Sequence, residues 1–403
     1  MSAPRLPSSP APYAWVVLCV VFMASAAAPL NQFKVPPMMP PLMESFGLDL
    51  STAGLLMSIF AVTGFILALP AGLLLQRWGA KAAGLVAVGC TAIGAVAGAL
   101  SPSIGRLLAS RVIEGIGMGL IAVVAPAIVG MWFPAERRGT PMGIWATWVP
   151  VGRIVMYNVA PAVGTALGWQ AVWWFGAAFA LVAFVLFWAM FRVPPGWTRT
   201  KPAAQTDEGL SPVEGPRLGQ AMANRNVWFL SLTFCCYSIA FLAFSTFLPT
   251  FLVSARGYSL ATAASVASLT GVTIGSCPLG GWISDRIGSR KRVYTVAFLL
   301  VAAMWLLPFR IAGWLMPAFA VVLGIVAGPV PTATFAAVPE VMGRPGLAGI
   351  GMAVVALGQS LGMFIGPVLF GRLVEMIGWA AAGYTLIPIC LLGVVAGWLV
   401  KVR

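Results

Sequence analysis

Apolar stretches of about twenty residues, the length that crosses a bilayer as a helix, recur along this chain. They fall at 13–37, 50–75, 82–101, 105–131, 140–165, 170–191, 226–253, 260–283, 293–309, 313–338, 347–370 and 380–400. Such a series leaves little chain for anything else. With 60% hydrophobic and only 8% charged residues, against roughly 25% charged in a soluble protein, the apolar surface exceeds what a water-soluble core can hide. Lipid is therefore the solvent, and the expected fold is an all-α membrane protein with twelve transmembrane helices. The first run lacks a small-x-small cleavage site and is expected to be a retained span.

Lysine and arginine fix the expected orientation. With the N-terminus in the cytoplasm, 17 of the 24 basic residues collect in cytoplasmic segments and four (Arg106, Arg256, Arg310 and Arg372) face the other side. Both termini are thus expected to be cytoplasmic, in a bacterial inner membrane. The net charge of +14 is mainly a topology signal and an attraction to anionic lipid headgroups. It does not imply nucleic-acid binding, since no basic soluble domain accompanies it. Histidine is absent, which removes the commonest general base and metal ligand, so neither an enzyme nor a metal or other cofactor is expected. The six cysteines lie within apolar runs without a CxxC pair, as small buried hydrophobes do.

One long polar segment, 192–225, rich in Pro, Gly and charge, divides the spans six and six. The expected organisation is an N-terminal bundle over 1–191, a cytoplasmic linker over 192–225 and a C-terminal bundle over 226–403. The halves repeat. "AGLLLQRWGAK" follows span two and "GGWISDRIGSR" follows span eight, and a shift of 209 matches Gly72 to Gly281, Arg77 to Arg286, Gly79 to Gly288 and Lys81 to Arg290. "FPAERRGTPMG" after span four is echoed by "VPEVMGRPGLAG" after span ten. Repeated membrane bundles enclose a site near the midplane.

The run Gly281 to Lys291, with Asp285 and Arg286 at its centre, resembles the loop signature of the major facilitator superfamily, as does its degenerate copy from Gly72 through Arg77 to Lys81. "RVIEGIGMG", from Arg111, resembles that family's fourth-helix motif, and "FIGPVLFG" its eleventh-helix ending. The resemblance implies two pseudo-symmetric six-helix bundles that alternate access by rocking, with spans 1, 4, 7 and 10 lining the cavity. It also implies a loop latch at Gly72, Arg77, Gly281, Asp285 and Arg286, and a carrier that works as a monomer. Gln76 stands where the family pattern has an acid, an exchange expected either to weaken the first latch or to be tolerated with a change in switching rates only.

Ionisable groups inside spans are costly and reduce to a short inventory. The basic ones are Lys34, Arg111 and Arg153, and the acid well inside a span is Glu114. Arg153 is the most demanding. No acid lies within sixteen positions of it, and a guanidinium at a helix centre costs roughly 2.5–3.5 kcal/mol on insertion scales. Either end of its span is about 18 Å away, so the side chain cannot reach an interface and must face a wet cavity or an internal partner. At helical spacing it lines up with Val149 and Tyr157, and further back with Trp145. Setting "VPVGRIVMYNVAP" against "VALGQSLGMFIGP" pairs Arg153 with Gln359. Lys34, in "LNQFKVPP" beside Asn31, has two readings. It resembles the helix-one base of the family's organic-anion carriers (sialic acid, hexuronate, galactonate), or it snorkels to the outer interface. Glu114 is expected either to pair with Arg111 or Arg153, or to carry a proton as access alternates.

Fixed cations outnumbering embedded acids favour an anionic substrate. The expectation is proton-coupled or exchange transport of a small organic anion, most simply a carboxylate held by Arg153, Lys34, Asn31, Trp145, Tyr157 and Gln359, with Glu114 and Arg111 as the proton-coupling pair. Drug efflux and transport of a small inorganic anion such as nitrate or cyanate are the alternatives. The fifth-helix end reads "NVAPAVG" where exporters carry a Gly-Pro pattern, and a glycine- and asparagine-rich nitrate signature is not apparent.

Overall fold

The structure, a computed structural model, describes residues 12–134, 137, 139–194, 223–343 and 345–401. Within its helices the side-chain surroundings of 64–65, 68–69, 72, 76, 139, 285, 345–346 and 348–349 lie outside the described residues. Every described regular element is helical. The first expected span is two helices, α1 (Pro12–Gln32) and α2 (Val35–Phe46). Spans two and three form α3 (Leu50–Ala99), broken at Gly79, where φ is 81°. Span four is α4 (Ile104–Trp132). Span five is α5 (Gly139–Ala146) with α6 (Trp148–Leu167), and span six is α7 (Trp169–Met190).

In the second half α8 is Arg225–Arg256. Span eight is α9 (Leu260–Ser268), a short 3-10 turn (Leu269–Val272) and α10 (Thr273–Ile287). Then follow α11 (Arg290–Met304), α12 (Leu315–Ala327), α13 (Pro329–Met342) and α14 (Pro345–Leu399). The last contains spans eleven and twelve, separated at Gly378 with φ 79°. All twelve expected spans fall on helix. The ninth stops sooner than expected: beyond Met304 the chain tightens into i+3 turns at Trp305, Leu306 and Leu307 ahead of Pro308.

The repeat is written into the backbone. Left-handed glycines end corresponding elements in the two halves: Gly47 and Gly257, Gly79 and Gly288, Gly168 and Gly378. Gly168 (φ 86°, ψ 164°) and Gly378 (φ 79°, ψ 169°) adopt nearly the same conformation, one that L side chains rarely reach.

Two compact units emerge. The first comprises Met1–Lys34 with Val62–Pro202, the second Val35–Ala61 with Ala203–Arg403. In the first unit α1 packs against α4, α6 and α7. Its core is built largely from small residues, among them Ala24, Ala28, Ala83, Ala87 and Ala180, with Val124, Ile128 and Phe187 filling between them. Without a hydrophobic drive between helices in lipid, such small residues let backbones approach and gain contact energy. The opposite face of α7 leaves Leu181, Val185 and Trp188 more than half exposed, as a lipid-facing stripe should be.

In the second unit α8 packs along α14, where Ser231 Oγ donates to Val354 O at 2.7 Å and Thr233 Oγ1 to Gly393 O at 3.1 Å. Phe309 gathers Phe244, Phe251, Phe370 and Trp379 around itself. The first turns of α3 dock on α14: Glu375 accepts the Leu50 N–H and Ser51 Oγ donates to Val368 O at 3.4 Å.

Candidate functional site

The site begins with two prolines. Pro36 and Pro37 have no N–H, so the carbonyls of Gln32 and Phe33 cannot receive their helical bonds. The last regular bond, Phe33 N–H to Pro29 O at 2.9 Å, is followed by a turn at Phe33–Lys34, and α2 starts at Val35. Prolines suit the first turn of α2, where N–H groups have no intrahelical partner anyway. Inside lipid, however, the open carbonyls at the end of α1 need other donors. Arg111 reaches this end from α4, meeting the open Gln32 O with Nη2 at 3.2 Å and the neighbouring Asn31 O with Nη1 at 2.8 Å. A cation there also complements the negative end of the helix dipole.

Glu114, one turn along α4, balances that charge. Its Oε2 accepts from Arg111 Nη1 and its Oε1 from Lys34 Nζ at 2.6 Å. Lys34 Nζ also donates to Asn31 Oδ1 at 2.9 Å and sits 4.5 Å over the Trp173 ring on α7. Asn31 is held from its other side by donating Nδ2 to Ala27 O at 2.9 Å and to Gly176 O at 3.2 Å. All four polar residues are fully buried. Close backbone approach closes the compartment. A Cβ at Gly94 would lie 2.7 Å from Glu114 N, and one at Gly176 would collide with Asn31 Oδ1.

A second cluster forms around Phe33, between Asn31 and Lys34 in the chain. Arg153, on α6 and 5% exposed, places Cζ 5.8 Å from the centre of the Phe33 ring. Tyr157, one turn on, meets the same ring edge-on at 6.2 Å and 82°. Consecutive residues at the α1 break thus serve two clusters: Asn31 and Lys34 face the carboxylate of Glu114, while Phe33 faces Arg153 and Tyr157.

The expected residues are therefore only partly gathered. Asn31, Lys34, Arg111 and Glu114 form one cluster, and Arg153 and Tyr157 a second, all within the first unit. The snorkelling alternative for Lys34 does not hold: the side chain is wholly shielded, with Nζ on Glu114 Oε1 and Asn31 Oδ1. The stripe from Trp145 through Arg153 is interrupted, because Pro150 cannot bond Ala146 O and the helix turns at Thr147. Trp145 donates Nε1 to Ser25 Oγ at 3.0 Å and stacks on Trp148. Gln359 lies half-buried on α14 in the second unit.

Of the expected latch, Arg77 is exposed on α3, Gly281 lies on α10, and exposed Arg286 covers the Trp282 ring at 5.3 Å. The surroundings of Gly72 and Asp285 lie outside the described residues. An ion pair that the motif reading did not name joins Arg290 Nε to Glu340 Oε1 at 2.7 Å. Trp173, Phe33 and Gly176 were also missed. Apolar and small residues in an apolar span send no signal of their own, although the tryptophan-dense "WQAVWW" was open to inspection.

The family model described as Major Facilitator Superfamily matches residues 19–309 and 270–403. A hexuronate transporter of Bacillus subtilis is 23% identical over 386 residues, covering 92% of this chain and 90% of its own. A probable sulfoacetate transporter of Cupriavidus necator is 25% identical, covering 90% and 87%. A nitrite extrusion protein of Bacillus subtilis is 24% identical, covering 82% and 80%. Among solved structures, a bacterial homolog of the human lysosomal transporter Spinster, in an inward-facing and occupied conformation, aligns with a TM-score of 0.79 at 16% identity and covers 97% of each chain.

Proposed function

This chain belongs to the Major Facilitator Superfamily, an integral multi-pass membrane transporter, and from that premise we propose that it carries a small organic anion, most simply a carboxylate, by alternating access. The observation that carries the reading is a charge imbalance. Among the described residues, the buried polar clusters of the first unit hold three cations, Lys34, Arg111 and Arg153, against the single carboxylate of Glu114. Burying a charge in a membrane interior is tolerated when a counter-charge offsets it. An arriving anion offsets the excess, and a guanidinium flanked by Phe33 and Tyr157 offers it a bidentate donor beside apolar walls. The names of the hexuronate and sulfoacetate relatives agree with such a substrate.

In this reading Arg153 and Tyr157 contact the substrate, with Gln359 of the second bundle as the pseudo-symmetric polar partner. Lys34, Asn31 and Arg111 position the carboxylate of Glu114, which takes the proton. Protonating it removes the one negative charge of the cluster and raises its attraction for the anion, which is the requirement for symport. The sequence repeat and the polar segment at 192–225 support two six-span bundles over 1–191 and 226–403, although Val35–Ala61 groups with the second compact unit. The basic-residue bias supports both termini cytoplasmic in a bacterial inner membrane. The nitrite relative keeps a small inorganic anion as the second reading.

Thermal melting in detergent with carboxylates, inorganic anions and lipophilic cations tests the substrate class, because a ligand that binds only the folded carrier raises its stability by mass action. Carboxylates are expected to stabilise the wild type, and Arg153→Ala to lose both that stabilisation and saturable uptake in proteoliposomes. Stabilisation by cations alone, or undiminished uptake by Arg153→Ala, defeats the proposal.

A further inference from the structure

Gln32 sits at the α1 break between the two clusters. Arg111 Nη2 holds its carbonyl at 3.2 Å, and the residue is 1% exposed. Its side-chain nitrogen Nε2, buried from solvent, has no hydrogen-bond acceptor among the described residues. The other three residues of the break are engaged: Asn31 and Lys34 in the Glu114 cluster, Phe33 against Arg153 and Tyr157. A carboxamide withdrawn from water without an acceptor bears its full desolvation cost, and native interiors avoid that. Leucine would fill a comparable volume without the cost. In transporters, broken membrane helices are where substrate groups meet the chain. An orphan donor at such a break, one residue from the ring that carries Arg153, is placed to meet an acceptor that arrives with the cargo.

We infer that Gln32 is a specificity-determining residue: its Nε2 donates to a hydroxyl or carbonyl oxygen of the transported acid while Arg153 takes the carboxylate. The carrier then selects hydroxy- or oxo-carboxylates over alkyl carboxylates of the same length. The inference rests on the anion reading above and narrows it. An alkyl acid would leave Nε2 buried and unpaired in the loaded state, which is how polar sites reject isosteres that lack the matching group.

Matched pairs, lactate with propionate and gluconate with hexanoate, test this in proteoliposome uptake and detergent melting, using the wild type, Gln32→Leu and Arg153→Ala. The wild type is expected to favour the hydroxylated member of at least one pair by about tenfold or more, the scale of one hydrogen bond in a buried site. Gln32→Leu should bring that ratio close to one by raising KM for the hydroxy acid, with a much smaller change for the alkyl acid. The empty Gln32→Leu protein should melt no lower than the wild type, because no bond of Nε2 is lost. Arg153→Ala should lose both acids of the pair. An unchanged ratio in Gln32→Leu, a wild-type preference for the alkyl acid, or a marked fall in the empty variant's melting temperature overturns the role of Gln32 and leaves the anion reading standing. A wild type that takes none of the four acids fails the carboxylate reading itself and the inference with it.

Discussion

Lys34 Nζ and Glu114 Oε1 meet at 2.6 Å across eighty residues of sequence, both side chains fully shielded, while Arg111 occupies the other oxygen of the same carboxylate. One anion thus holds two cations in a dry compartment, and the three charges have unequal worth. Glu114→Gln strands both cations and should destabilise by about 3–5 kcal/mol, the cost of breaking a buried pair from one side. Lys34→Met leaves Glu114 with Arg111 and should lose distinctly less. In the double variant Lys34→Met, Glu114→Gln, the loss should fall short of the sum by more than about 0.5 kcal/mol, the range within which independent sites add. Detergent melts of the four proteins measure this, and an additive result would show that the pair is not coupled.

Arg111 closes the end of α1 with two bonds from one planar group, and lysine cannot reproduce that geometry. Arg111→Lys should therefore loosen the last turn, read as faster hydrogen exchange at Phe33, whose N–H makes the final regular bond of α1. The stability loss should be about 1–3 kcal/mol, the cost of leaving buried polar groups unmatched. Pro36→Ala restores an N–H able to reach Gln32 O and should recover part of the protection in the Arg111→Lys background. Unchanged exchange in Arg111→Lys would remove the capping role.

Much of this was readable in the chain, and the unread part has physical reasons. The spans, the repeat and the Arg111–Glu114 pair rest on local periodicity or on i, i+3 spacing, which sequence states directly. The partner of Lys34 does not, because α1 meets α4 only in three dimensions. The prolines at 36, 37, 40 and 41 read as the end of a span, which made snorkelling plausible for Lys34. Pro36 and Pro37 instead sit in the first turn of α2, where a missing donor is tolerated, and the helix continues through Pro40 and Pro41 in its interior. Trp145 was placed beside Arg153 by assuming one straight helix through Pro150. Trp173 and Gly176 went unread because an aromatic ring beneath a cation and a gap left for Asn31 look, in sequence, like ordinary apolar span.

Asp49 precedes the first turn of α3 and caps it, with Oδ1 accepting the Thr52 N–H at 2.9 Å. The bonds from Thr52, chiefly, and the charge of Arg372 hold this carboxyl below its usual 3.8. A lowered folded-state value means that its contribution is fully present above about pH 4 and is lost as pH falls through the folded value. Asp49→Ala should cost about 0.5–2 kcal/mol at neutral pH, as lost N-caps do. The gap to the wild type should persist at about pH 5 and shrink towards about pH 3, while Asp49→Asn, an uncharged cap, should lack that slope. Melting temperatures across this range decide it, and a gap that widens with acid would reverse the assigned sign.

Gly94 is where α3 comes closest to the Glu114 cluster. A Cβ there would lie 2.7 Å from Glu114 N and 2.9 Å from Ser110 O, both backbone atoms that cannot swing away. Gly94→Ala should therefore push α3 and α4 apart and destabilise by about 1–3 kcal/mol, as overpacking does, although alanine is the better helix former. Gly143, on α5, meets nothing within 4 Å and is exposed. Gly143→Ala should be neutral or stabilising by up to about 1 kcal/mol, the helix preference alone. Because separating α3 from α4 disturbs the carboxylate that holds Lys34 and Arg111, Gly94→Ala should also lower uptake, while Gly143→Ala should not. Melting and uptake measured side by side test both halves. Equal behaviour of the two variants would mean that close approach at Gly94 does not shape the cluster.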